Sequence, residues 1–204
     1  MSLTFDRFEP TTTVVKRSGF GGKACATVAL SLLAALPLAA RAQVGEADEA
    51  MLRDAVTHAC WPGDIVRAAD RYLVAFPSGD AVAEVRSDRQ RAAQTSRLVS
   101  RNDLRLYRSA FVPPTGDDDA ARLLRRAALG DRDAAVQLAQ ASRANDTRYV
   151  GWLQYASLLG DERASYELAL HFRRTDQPLL AAQYETIAVA LGYKPAPSLD
   201  NVRK

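Results

Sequence analysis

A chain of 204 residues has room for one domain of ordinary size, which excludes a large multidomain enzyme. With 48% hydrophobic and 25% charged residues it can bury a core and is not disordered as a whole. The formal charge of +3 is no sign of nucleic-acid binding: five of the 27 basic and two of the 24 acidic residues precede Gln43, so 22 of each remain from there on.

The first element in chain order is an address. Residues 24–40 read ACATVALSLLAALPLAA, preceded by Lys16, Arg17 and Lys23 and followed by Arg41-Ala42. A basic start, an apolar middle and small residues at 40 and 42 are the parts of a secretory signal, with cleavage expected after Ala42. Pro37 is expected to end the signal helix before an extended cleavage segment. The apolar run, 17 residues, is shorter than the ~20 that span a bilayer, so no transmembrane segment is expected after cleavage. Arginine outnumbers lysine 20 to 2 beyond Ala42, in keeping with GC-rich bacterial coding. Together these features place the protein in the periplasm, or outside the cell if it is fully secreted. Cys25 leaves with the signal, and Cys60 remains as a lone thiol, read as a small buried apolar residue.

Residues 43–116 read as helices. Met51, Leu52, Ala55, Val56, Ala59 and Cys60 form an apolar stripe at helical spacing, and Ile65, Ala68, Ala69, Tyr72, Leu73 and Phe76 form the next. Between them Trp61-Pro62-Gly63 breaks the chain, with Asp64 as the expected cap. Phe76-Pro77-Ser78-Gly79 ends the second stripe, and this segment looks like a tetratricopeptide hairpin. Further helices are expected from Ala81 to about Val99 and from Asn102 to Phe111, before the break at Pro113-Pro114-Thr115-Gly116. No alternating pattern is long enough for a sheet.

Residues 117–204 repeat. Leu129-Gly130-Asp131 recurs as Leu159-Gly160-Asp161 and as Leu191-Gly192-Tyr193, at shifts of 30 and 32. Ala134, Ala164 and Ala196 stand four residues after each glycine, and Leu138 and Leu168 follow the first two at four more. Trp152 and Tyr184 precede the second and third Leu-Gly by seven residues, with Ala156 and Ala188 between. Glycine can take the left-handed conformation that closes a helix, and the aspartate after it can cap the next. The alanines let two backbones approach while Trp152, Tyr184, Leu138 and Leu168 fill the space further along. Such hairpins bury their apolar faces only by stacking.

On these residues, 117–204 resembles the Sel-one-like repeats, a branch of the tetratricopeptide-like helical family. The resemblance implies an all-α fold, a short α-α superhelix of stacked antiparallel helix pairs. It also implies an adaptor or scaffold whose concave face holds a protein or peptide partner. The repeats here are shorter than is usual in that family and lack its glycine-rich loops.

No constellation for catalysis or metal binding emerges. His58 and Cys60 are two apart on a helix, where side chains diverge by about 200° and cannot chelate one ion. His171 reads as a helix C-terminal residue, and Asp117-Asp118-Asp119 as the start of a helix rather than a calcium loop. The nucleophile elbow, phosphate loop and nucleotide fingerprint are missing, so the chain reads as non-enzymatic and without a cofactor. Arg97, Arg101, Arg105 and Arg108 would share one stripe if that stretch were a single helix, and could then dock an acidic partner. An Asn102 break would scatter them. Trp152, Tyr155 and Tyr184 are the aromatic candidates for the partner groove. The alternatives to an exported adaptor are an envelope enzyme or accessory subunit acting on cell-wall glycan, and a structural part of a secretion or polysaccharide-export assembly.

Overall fold

The computed structural model describes residues 38–194, with side chains from Gly45 onward. The apolar run up to Pro37 and the residues Ala196 and Leu199-Asp200-Asn201 lie outside the described part. Among the described residues, those from Ala39 on form one compact unit. The helices are α1 (Leu38–His58), α2 (Pro62–Ala75), α3 (Val82–Val99), α4 (Asp118–Ala128), α5 (Arg132–Ala141), α6 (Asp146–Leu158), α7 (Glu162–Arg174) and α8 (Pro178–Ala190), with a 3-10 turn at Arg108–Phe111. Among the described residues there is no strand. Consecutive helices pack against each other from α2 to α3 and from α4 through α8, so the architecture is all-α, a short superhelix of stacked antiparallel pairs. No described helix is long and apolar enough to cross a membrane.

The bends form as glycine and aspartate dictate. Gly130, Gly160 and Gly192 have φ of 83°, 91° and 102°, the left-handed region. At each, the glycine N–H donates three residues back and the next N–H donates five back: Gly130 to Ala127 and Asp131 to Arg126, Gly160 to Ser157 and Asp161 to Ala156, Gly192 to Val189 and Tyr193 to Ala188. This pattern satisfies carbonyls that the helix end leaves free. Asp131 and Asp161 then accept from the N–H groups of Ala134 (3.0 Å) and Ala164 (2.7 Å), capping α5 and α7. α7 ends in the same hydrogen-bond pattern with Asp176 at φ 55° in place of glycine.

α6 is the central helix. Residues 150–157 are buried in succession, the signature of a helix covered on every side. Tyr155 donates to the carbonyl of Ala127 at 2.7 Å, which keys the second hairpin to the bend of the first. One apolar core runs from Cys60 to Ala181, crossing residue 116 without interruption, and a smaller cluster joins Val56, Ala69, Tyr72, Ala81 and Val85. α1 is tied on by Tyr72, which donates to Glu49, and by Arg125, which donates to the carbonyls of Val56 and Ala59 and pairs with Asp88 at 2.5 Å.

Four expectations are corrected. The segment Leu38–Ala42, expected to be extended, is the first part of α1. Met51 is 63% exposed and Ala55 is exposed, so the α1 stripe that buries is narrower, centred on Leu52, Val56, Ala59 and Cys60. Asp64 does not cap α2: Trp61 is the cap residue with no side-chain bond, Pro62 begins the helix, and Asp64 pairs with Arg67 and Arg108. Finally, residues 102–107 are not helical. The chain between α3 and α4 is an irregular strap interrupted by a single 3-10 turn at Arg108–Phe111.

Candidate interaction surfaces

The strap decides what the predicted site residues can do. Leu104, Leu106, Ala110 and Phe111 are buried and join the main core, while Arg105 and Tyr107 are exposed. Gly151 of α6 is what lets the strap come so close: a Cβ there would collide with the Arg105 carbonyl and sit 3.4 Å from the Leu106 Cα. Gln154, one turn on, holds the strap in both directions. Its Oε1 accepts from the Arg105 N–H at 3.0 Å, and its Nε2 donates to the Asp103 carbonyl and the Tyr184 hydroxyl, each at 3.2 Å. Arg148 donates to the Ser109 carbonyl at 2.8 Å and closes the far end.

Trp152 and Tyr155 therefore belong to the core and not to a groove. They are 1% and 0% exposed, and Trp152 packs between Phe111 and Tyr155, with ring centroids 4.8 Å and 6.0 Å away. Burial pushes the Tyr155 hydroxyl up to about 12, with the nearby Thr95 hydroxyl acting in the opposite sense. Tyr184 keeps part of its surface, stacked on Phe172 at 5.5 Å. Burial raises its pKa as well, against the bond from Gln154.

The four arginines do not form one stripe, because α3 ends at Val99. Arg101 turns to Asp103 at 2.7 Å, Arg108 to Asp64 at 2.7 Å, and Arg105 is held by its backbone. The bond to Arg101 holds the Asp103 carboxyl below its ordinary value. Arg97 is grouped instead with Arg86 and Arg89 along the groove between α2 and α3.

An open trough lies on the other side of α6. α5 and α7 each pack on α6, and the space between them is lined by Arg132, Val136, Gln137, Leu153, Glu162 and Glu167, with a volume of about 500 Å³. Leu153 is two residues, hence about 200° around the helix, from the Gly151 that meets the strap. A second cavity of about 660 Å³ continues the trough past Glu167, among Arg143, Asp146, Tyr149, Leu170 and Arg174. Tyr149 donates to Glu167 at 2.9 Å at the junction, and Leu170 is 40% exposed. The length of α7 from Glu162 to Arg174 makes the trough about 18 Å long. None of these residues is a site candidate on sequence alone. The one available signal is Leu170, an apolar residue about 200° from the buried Leu168 on the same helix.

No protein-family model, curated protein or solved structure matches the chain.

The remaining candidates have structural roles. Asp117 caps α4 by accepting from the Ala120 N–H at 2.8 Å, with Asp118 and Asp119 in the first turn. Cys60 is buried and free, its thiol pushed up by burial against the field of Arg125. His58 faces Asp54 on α1, and His171 is buried in the last turn of α7, edge-on to Phe172 and 3.6 Å from Asp146. No group of three or more His, Cys, Asp or Glu among the described residues could hold a metal ion.

Proposed function

We propose that the protein is an exported helical-repeat adaptor, periplasmic or secreted, that holds a protein or peptide segment in the trough between α5 and α7. The observation that carries this reading is an open channel between α5 and α7, on the side of the buried α6 away from the strap. The strap fills one side of α6, while on the opposite side α5 and α7 leave between them a channel about 18 Å long, with Leu153 buried beneath it, Leu170 along it and charges at both ends. At roughly 3.3 Å per residue, that length suits five or six residues of extended peptide. Arg143 and Arg174 at one end, with Asp146 beside them, offer charged contacts to such a segment, and Leu170 offers an apolar one. The resemblance of 117–204 to adaptor repeats agrees with this assignment, as does the secretory pattern of the first 42 residues.

The test is purification of the tagged protein from cell envelopes beside a Leu170→Asp, Arg174→Glu variant of unchanged helicity. A stoichiometric partner whose affinity falls at least about tenfold in the variant supports the adaptor. Equal recovery of the partner, or a protein without partner that turns over wall fragments, overturns it.

A further inference from the structure

The outer face of α3 carries a charge pattern that the trough does not use. At 100° per residue, Arg86, Gln90, Ala93 and Arg97 lie within about 40° of one line along the helix. Together with Arg89, Gln94 and Leu73 of α2 they line a groove of about 620 Å³ that contains three arginines and no acid. Both acids of α3 point elsewhere, Glu84 to Arg53 at 3.2 Å and Asp88 to Arg125 at 2.5 Å. Arg89 is shared with Asp70 at 2.5 Å, whereas Arg86 and Arg97 meet no carboxylate among the described residues.

A complementary surface exists on the same molecule. Glu46, Glu49, Asp54 and Asp80, with Arg53, line a cavity of about 490 Å³ along α1, so its lining carries a net three negative charges against the groove's three arginines, one of which is shared with Asp70. Glu84 joins α3 to this acidic edge through Arg53, and it stands two residues from Arg86, about 200° around the helix. The two surfaces therefore face in opposite directions and cannot close on each other within one chain. The residues from Gln43 onward are neutral in sum, so the segregation is a matter of placement rather than of overall charge.

We propose that the groove between α2 and α3 receives the acidic α1 edge of a second copy, so that the protein associates head to tail through ion pairs. Such an interface joins two different patches and leaves one of each free, so it extends to further copies unless rotation closes a ring. Exposed charges are screened over about 10 Å at 0.1 M salt, so the association weakens as salt rises.

Sedimentation of the full chain between ~0.01 M and ~0.5 M salt tests this. The expected result is species above the monomer at low salt that dissociate at high salt. Arg86→Glu with Arg97→Glu, and separately Glu46→Arg with Asp54→Arg, should each weaken association at least about tenfold while helicity is kept. An equimolar mixture of the two variants should associate again, since each offers the other a complementary surface. A monomer at every salt concentration overturns the proposal. So does association indifferent to salt or to either pair of reversals, as an apolar contact or another partner surface would give, and so does a mixture that stays monomeric.

Discussion

Tyr155 shows how one side chain can hold two repeats together. Its hydroxyl reaches across from α6 to the Ala127 carbonyl, which also accepts the Gly130 N–H at the first bend. Its folded pKa of about 12 lies above the roughly 10 of an unfolded tyrosine. Below pH ~10 both states keep the proton. Between there and about 12 only the unfolded chain gives it up, so stability falls as pH rises, by up to ~1.4 kcal/mol per pH unit. Tyr155→Phe should cost about 1 kcal/mol at neutral pH and flatten this alkaline fall, as measured by denaturant unfolding from pH 8 to pH ~11.5. The sequence marks Tyr155 as an aromatic near the repeats but does not show which way it faces. Residues 150–157 read VGWLQYAS, without the polar face by which helical periodicity separates inside from outside.

At the scale of elements, the bends were legible and the strap was not. Gly130, Gly160, Asp131 and Asp161 act within one or two turns of their own position, so local backbone geometry is enough to read them. Residues 102–111 satisfy two patterns at once. Leu104 and Leu106 alternate with the outward Arg105 and Tyr107 at a period of two, while Ala110 and Phe111 extend the apolar positions toward a helical spacing. The extended conformation prevails because Gly151 and Gln154, some 49 residues away in sequence, supply the close approach and the hydrogen bonds. Gln154→Ala should leave the Arg105 N–H and the Asp103 carbonyl without their partner. It should speed hydrogen exchange of the Arg105 amide at least about tenfold while amides in α7 change little. Equal acceleration throughout would mean that the strap is not a separately opening unit. The same long reach explains the failure of the arginine stripe: the helix it required ends at Val99, where the chain turns to cover α6.

Taken as a molecule, the array differs from a solenoid in which each repeat touches only its neighbours. Phe111 of the strap lies 5.1 Å from Trp61 before α2 and 4.8 Å from Trp152 in α6, so one aromatic chain links both halves. Phe111→Ala should destabilise the protein by about 3–5 kcal/mol. Tryptophan fluorescence and helix content should still be lost in one coincident transition, and two separated transitions would show the halves to be independent. The stacking of pairs was legible from the repeat period, while the unity of the core depends on contacts that no period encodes. The strap also bears on the order of events at the ribosome. Leu104, Leu106 and Phe111 emerge some 40 to 50 residues ahead of α6, so synthesis passes through an interval in which these side chains lack the helix that covers them. A nascent chain in that interval exposes a short greasy stretch studded with arginines. Whatever cellular machinery escorts the chain meets that stretch before any mature surface exists.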